Sequence, residues 1–161
     1  MTKISLLKPV LLLSLLAASA NVIAGEANYY LDLSWDSKYM AKGKPLLSKG
    51  GAFWGEVGVD IGDFSAFVAV GEGEQLDFKE YDIGLDYRII STEDWTVELG
   101  YLGIDCSGLA EYNFQSHYFD VDVSYTALPW LTPSVQAIYR TNGGGYYIET
   151  ELRGHWTLLI N

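Results

Sequence analysis

From residue 27 onward, apolar residues recur at every second position, the period of strands with two chemically different faces. The final segment is the clearest. Tyr146, Ile148, Thr150, Leu152, Gly154, Trp156, Leu158 and Ile160 share one face, and Tyr147, Glu149, Glu151, Arg153 and His155 the other, because successive side chains of a strand point to opposite sides. Tyr29, Leu31, Leu33, Trp35 and Tyr39 likewise oppose Asp32, Ser34, Asp36 and Lys38, while Phe53, Val57, Val59 and Ile61 oppose Glu56 and Asp60. Tyr81, Ile83, Leu85, Tyr87 and Ile89 oppose Glu80, Asp82, Asp86 and Arg88. Trp95, Val97, Leu99 and Tyr101 oppose Thr96 and Glu98. Phe119, Val121, Val123 and Tyr125 oppose Tyr118, Asp120, Asp122 and Ser124, and Val135, Ala137 and Tyr139 oppose Ser134, Gln136 and Arg140. Only Phe64 to Val70 is apolar on both faces, which leaves its orientation open.

The pattern predicts about eight strands, each near the ~9–11 residues that cross a bilayer at a tilt. The connectors alternate in length. Gly62-Asp63, Ser91 to Asp94 and Ala127 to Leu131 are short; Ala41 to Gly50, Glu72 to Phe78, Asp105 to Gln115 and Thr141 to Gly145 are longer and rich in Gly and polar residues. Short periplasmic turns alternating with longer outer loops are the habit of membrane barrels. The expected fold is therefore all-β: an antiparallel up-and-down transmembrane β-barrel occupying residues 25–161.

Residues 1–24 read differently. Lys3 and Lys8 precede an apolar stretch from Val10 to Ala18, and small residues follow, with Val22-Ile23-Ala24 before Gly25 as a cleavage site and Ala18-Ser19-Ala20 as a second candidate. This is the layout of a secretory signal peptide, and the stretch is shorter than the ~20 apolar residues of a transmembrane helix. Export to the outer membrane is the expectation. The chain carries a net charge of −11; without Lys3 and Lys8 the remainder carries −13. So acidic a protein is a poor ligand for nucleic acid. Cys106 is the single cysteine, so no internal disulfide can staple the fold, and it reads as an incidental loop residue.

Alternation alone does not say which face is inside. A soluble periplasmic ligand-binding barrel turns its apolar face inward; a membrane barrel turns it outward to lipid. Two features favour the membrane. Tyr29, Tyr39, Tyr81, Trp95, Tyr101, Tyr139 and Trp156 lie on the apolar face near strand ends, as in lipid-facing aromatic girdles. Gly58, Gly84 and Gly100 occupy polar-face positions, which suits a crowded interior better than a solvated surface.

The run Ser34-Trp35-Asp36-Ser37-Lys38-Tyr39-Met40-Ala41-Lys42-Gly43, followed by a strand opening on Gly and a short acidic turn, resembles the opening of outer-membrane porin β-barrels of the TorF-like group, whose first strand has a Ser-Asp-Tyr-x-x-x-Gly form. Glu80-Tyr81-Asp82-Ile83-Gly84-Leu85-Asp86-Tyr87 looks like that group's repeated aromatic-Gly-Tyr strands. The likeness spans roughly residues 28–161 and implies a small porin in outer-membrane lipid. The chain departs from the group in being short and in ending Leu158-Leu159-Ile160-Asn161 rather than on the terminal aromatic of many outer-membrane barrels. Either the terminus is unusual or later strands are missing.

With polar faces inward, the lumen is lined by Asp32, Asp36, Glu56, Asp60, Glu80, Asp82, Asp86, Glu98, Asp120, Asp122, Glu149 and Glu151 against Lys38, Arg88, Arg140 and Arg153. Twelve acids against four fixed bases predict preference for small cations if the barrel conducts. Eight strands, however, enclose an interior that side chains roughly fill, so a structural barrel with an inward salt-bridge network is the other expectation. No cofactor is implied, and oligomeric state is left open. A lipid-modifying outer-membrane enzyme would need Ser116, His117 and Glu111 together, yet adjacent strand residues face opposite ways, so Ser116 and His117 form no dyad without a bulge. No cation-binding loop, His/Cys cluster or phosphate-binding Gly loop supports a metal or nucleotide site.

Overall fold

The computed structural model describes residues 27–41, 43–109 and 113–155. The signal-peptide expectation, Glu111 and Trp156 fall outside them. Ten strands follow one another: β1 (Ala27–Asp36), β2 (Met40–Ala41), β3 (Lys44–Pro45), β4 (Ala52–Ile61), β5 (Phe64–Gly73), β6 (Lys79–Ser91), β7 (Trp95–Ser107), β8 (Phe114–Tyr125), β9 (Leu131–Arg140) and β10 (Gly145–Gly154). Eight of these build a single antiparallel sheet in the order β1-β4-β5-β6-β7-β8-β9-β10, and β2 pairs with β3 in a small separate hairpin. Apart from the small β2–β3 hairpin inserted between β1 and β4, each strand of the sheet pairs with the next in sequence, so the topology is up-and-down, and no helix occurs among the described residues.

The sheet is not closed into a barrel. β1 and β10 are its two free edges, and nearly every residue on both is exposed. The register shows how the two edges stand relative to one another. A path of directly opposed residues runs Asn28–Asp60–Ser65–Asp86–Gly100–Asp120–Ile138–Tyr147. It leaves β1 at its second residue and reaches β10 at its third, and the starts of these two strands lie at opposite ends of the sheet. The edges are therefore strongly staggered, and closing them requires a sheared ladder rather than a level one.

Directly opposed residues share a face, so the same path sorts the whole sheet. The polar positions named above from β1, β4, β6, β7, β8, β9 and β10 fall on one side. The aliphatic and aromatic positions fall on the other. The ambiguous strand is resolved: Ser65, Phe67, Ala69 and Gly71 join the polar face, and Phe64, Ala66, Val68 and Val70 the apolar one. A bulge between Arg88 and Ile90 shifts the register of β6 on β7, so Ile90 rather than Ile89 opposes Val97. Such an extra residue is invisible to a strict period of two.

The short connectors, 62–63, 92–94 and 126–130, gather at one end; the four longer ones, 37–51, 74–78, 108–113 and 141–144, gather at the other. At the short end Gly62 turns with φ of 59°. At the long end the connectors are tied together. Glu74 N–H donates to the Gly51 carbonyl at 2.9 Å, and Gly51 N–H donates to Glu74 Oε2 at 3.1 Å. Gly108, with φ of 78°, passes so close to the Asp77 carbonyl that a Cβ would stand 1.8 Å from it.

Candidate functional site: the enclosed polar face

From β6 to β8 burial is inverted relative to a soluble sheet, whereas near the short-turn end of β4 and β5 the apolar-face residues Val59, Ile61 and Ala66 are themselves buried. Along β6, Glu80 is 2 % exposed, whereas its neighbours Tyr81 and Ile83 are 47 % and 41 % exposed. The same contrast runs through β7 and β8, where Glu98, Asp120 and Asp122 are half-buried beside exposed Leu99, Phe119, Val121 and Val123. Water-soluble proteins rarely expose so contiguous an apolar surface.

The polar face is crowded because large side chains lie over its glycines. Tyr30 covers Gly58, Trp54 covers Gly71, Phe67 covers Gly84 and the Asp120 carboxylate covers Gly100, each from the residue directly opposite on the next strand. A Cβ at Gly84 would stand 1.9 Å from the Phe67 ring. Glycine is required there because only a bare backbone leaves room for the ring.

Toward the long-connector end this face becomes apolar. Leu47, Ala52, Phe78, Cys106 and Leu109 form a buried cluster, packed by Tyr39, Trp54, Leu76, Ile104 and Phe114. Leu47 and Leu109 come from connectors, so loops fold inward over this end. Tyr39, expected on the apolar face, is instead part of this interior: its ring packs on Trp54 and Phe78, and its hydroxyl donates to Glu80 Oε1 at 2.8 Å. The bend at Ser37-Lys38 after β1 breaks the alternation and turns Tyr39 across. Burial, with the Glu80 carboxylate beside it, holds the Tyr39 phenol well above its ordinary pKa. Lys38, expected to line the lumen, sits in that same bend, exposed and beyond the end of β1. Cys106 is not a loop residue but the twelfth residue of β7, buried within the cluster beside Glu80.

The charged centre lies below. Tyr30 donates to Glu56 Oε1 at 2.9 Å, Gln136 donates to Asp120 Oδ2 at 3.0 Å and Ser124 donates to Asp122 Oδ1 at 2.8 Å. Near the short-turn end, Arg88 joins Glu98 at 3.1 Å and Asp63 at 3.6 Å. Arg140 donates twice to buried Ser116 and lies over the rings of Phe114 and Tyr118. Arg153 pairs with Glu151 along the exposed β10 edge. Glu80 Oε2, Asp82 Oδ1 and Trp54 Nε1 are buried without a hydrogen-bond partner among the described residues. The structure thus brings Asp32, Asp36, Glu56, Asp60, Glu80, Asp82, Asp86, Glu98, Asp120, Asp122, Glu149 and Glu151 to one face of the sheet, with Arg88, Arg140 and Arg153. No group of three or more His, Cys, Asp or Glu that could hold a metal occurs among the described residues.

On the opposite face, Tyr29, Tyr81, Trp95 and Tyr139 are exposed, and the half-buried Tyr101 hydroxyl lies 2.9 Å from His117 Nδ1. Ser116 and His117 therefore project to opposite faces and share no chemistry. No family model matches the chain, and no curated protein or solved structure matches it. The class defined by fold and site is an antiparallel up-and-down sheet with most of its strand-borne charges on one face.

Proposed function

We propose that this chain is an outer-membrane β-barrel protein, its apolar face against lipid and its acid-rich face around a narrow, filled interior. The inverted burial carries the proposal: charged groups such as Glu80 are enclosed while Tyr81, Ile83 and Leu85 stand uncovered. In water that arrangement is costly, because exposed apolar area costs about 25 cal/mol per Å². In a bilayer it is the favourable one. Strands of 10 to 13 residues are long enough to span at a tilt. The loop-borne residues Leu47 and Leu109, and the rings over Gly58, Gly71 and Gly84, favour a structural or anchoring barrel over an open porin. Any current through it selects cations, since the interior acids outnumber the bases. A soluble ligand-binding barrel would enclose the aliphatic face instead.

Fractionation of cells expressing the full chain tests this. The expected result is recovery in detergent-extracted outer membrane, with a folded band on gels that shifts on boiling. Recovery in the soluble periplasmic fraction would overturn it. In planar bilayers, anion-selective conductance would end the acidic-lumen proposal.

A further inference from the structure

The two free edges of the sheet carry enough information to fix how they meet. We infer that β10 closes onto β1 of the same chain with a total stagger of ten residues, Arg153 opposite Asp32 and Glu151 opposite Ser34. The inference rests on the barrel proposed above and goes beyond it by naming the closing contact.

Three constraints select that register. The first is parity. A slip of one residue turns every side chain of a strand to the other face. Asp32 and Ser34 on β1 must therefore oppose Glu149, Glu151 or Arg153 on β10, and the stagger must be even.

The second is tilt. The path of opposed residues that starts at Asn28 ends at Tyr147. On closure, Tyr147 comes level with the position one full stagger above Asn28, which for a stagger of ten lies at Lys38, just past the end of β1. With about 3.3 Å per residue and about 4.8 Å between strands, staggers of six, eight, ten and twelve over eight strands give tilts of about 27°, 35°, 41° and 46°. Closed barrels of this kind tilt by about 35–45°. Six is too flat, eight and twelve sit at the limits, and ten falls inside.

The third is charge. Like charges directly opposed across strands destabilise, and opposite charges stabilise. A stagger of eight sets Asp32 against Glu151, and a stagger of twelve sets Asp36 against Glu151. Ten sets Arg153 against Asp32 and leaves Glu151 facing the Ser34 hydroxyl. Its one acid pair, Asp36 with Glu149, falls at the connector end, two residues from exposed Lys38. On the apolar face the same register opposes Leu33 to Leu152, which are 74 % and 72 % exposed on the open edges. Arg153 and Glu151 are themselves exposed, so neither must leave a buried partner.

Disulfide trapping tests the register in the full chain, folded in outer membranes. Glu151→Cys is held fixed and combined in turn with Asp32→Cys, Ser34→Cys and Asp36→Cys. Cys106, 1 % exposed, stays out of reach of the oxidant. Only directly opposed Cβ atoms approach disulfide distance, so Ser34→Cys with Glu151→Cys should cross-link within one chain about tenfold faster than either alternative. Fastest cross-linking with Asp32→Cys or Asp36→Cys would overturn the register. Cross-links between two chains would show the edges meeting in a second copy, and the absence of any cross-link would show that they do not meet; either overturns the closure. As a second measure, Arg153→Asp should lower the heat-modifiable folded fraction and Asp32→Arg should restore it; no restoration also counts against the pairing. Failure of the barrel itself is separable: the chain would then not fractionate with the outer membrane, whatever its cross-links.

Discussion

Leu85→Arg distinguishes a lipid-facing sheet from a wet one. Leu85 lies at the centre of the thirteen-residue β6, 38 % exposed, opposed by Ala66 and Tyr101 on the neighbouring strands. Against lipid, a guanidinium at mid-depth costs about 2–4 kcal/mol, falling to about 0–1 kcal/mol near the interface. At about 1.4 kcal/mol per tenfold, the central substitution should shift the unfolding equilibrium roughly 30- to 700-fold. Tyr81→Arg, on the same face near the long-connector end, should cost much less. Both are measured by urea titration of the chain folded in lipid vesicles, followed by tryptophan emission and by the heat-modifiable band. Were the face in water, each substitution at an exposed site would change stability by about 0.5 kcal/mol or less. A Leu85→Arg protein as stable as the parent, or one no weaker than Tyr81→Arg, would refute the lipid-facing assignment.

Three further substitutions test the interior. Gly84→Val drives a side chain into the Phe67 ring and should destabilise by about 1–3 kcal/mol; Phe67→Ala in the same chain should recover part of that loss in urea titrations. Tyr39→Phe removes the donor from buried Glu80 and should cost about 1–3 kcal/mol, read by the same titration. Because the Tyr39 phenol is raised in the folded state, its contribution is complete below the unfolded value near 10 and is lost as pH rises beyond it. Parent and Tyr39→Phe should therefore converge in stability at strongly alkaline pH. Gly108→Ala combines a positive φ with a Cβ only 1.8 Å from the Asp77 carbonyl, and should destabilise by more than the ~1 kcal/mol typical of such turns, with a lowered urea midpoint as the readout.

Strand number, order of faces and connector alternation were legible in the sequence, because period-two patterning is imposed locally by the pleat. β6 is the best example: Glu80, Asp82 and Asp86 alternate with Tyr81, Ile83 and Leu85 from one end to the bulge. Features set by contacts distant in sequence were not legible. Tyr39 continues the apolar alternation of β1 on paper, yet the bend at Ser37-Lys38 sends it to Glu80, 41 residues on. Cys106 reads as part of a loop because β7 runs three residues, Asp105 to Ser107, into the stretch whose composition suggests a connector. Phe64 to Val70 was ambiguous for a reason visible only in register: Phe67 sits on the polar face because Gly84 opposite has no side chain.

The glycines and the acids are two parts of one solution. An interior ringed by carboxylates cannot be dry without neutralisation, because uncompensated buried charge is costly. In this sheet the fixed bases cluster at Arg88 and Arg140, near opposite ends, and leave the middle to neutral donors: Tyr30 for Glu56, Gln136 for Asp120, Ser124 for Asp122. Tyr30 can serve Glu56 only by lying flat across Gly58. Glycine therefore does more than fill space here. It lets one strand's long side chain reach over its neighbour to a carboxylate two residues away, replacing a missing base with a hydrogen bond. In the closing register inferred above, Arg153 would stand opposite Asp32, to which no side-chain donor reaches among the described residues.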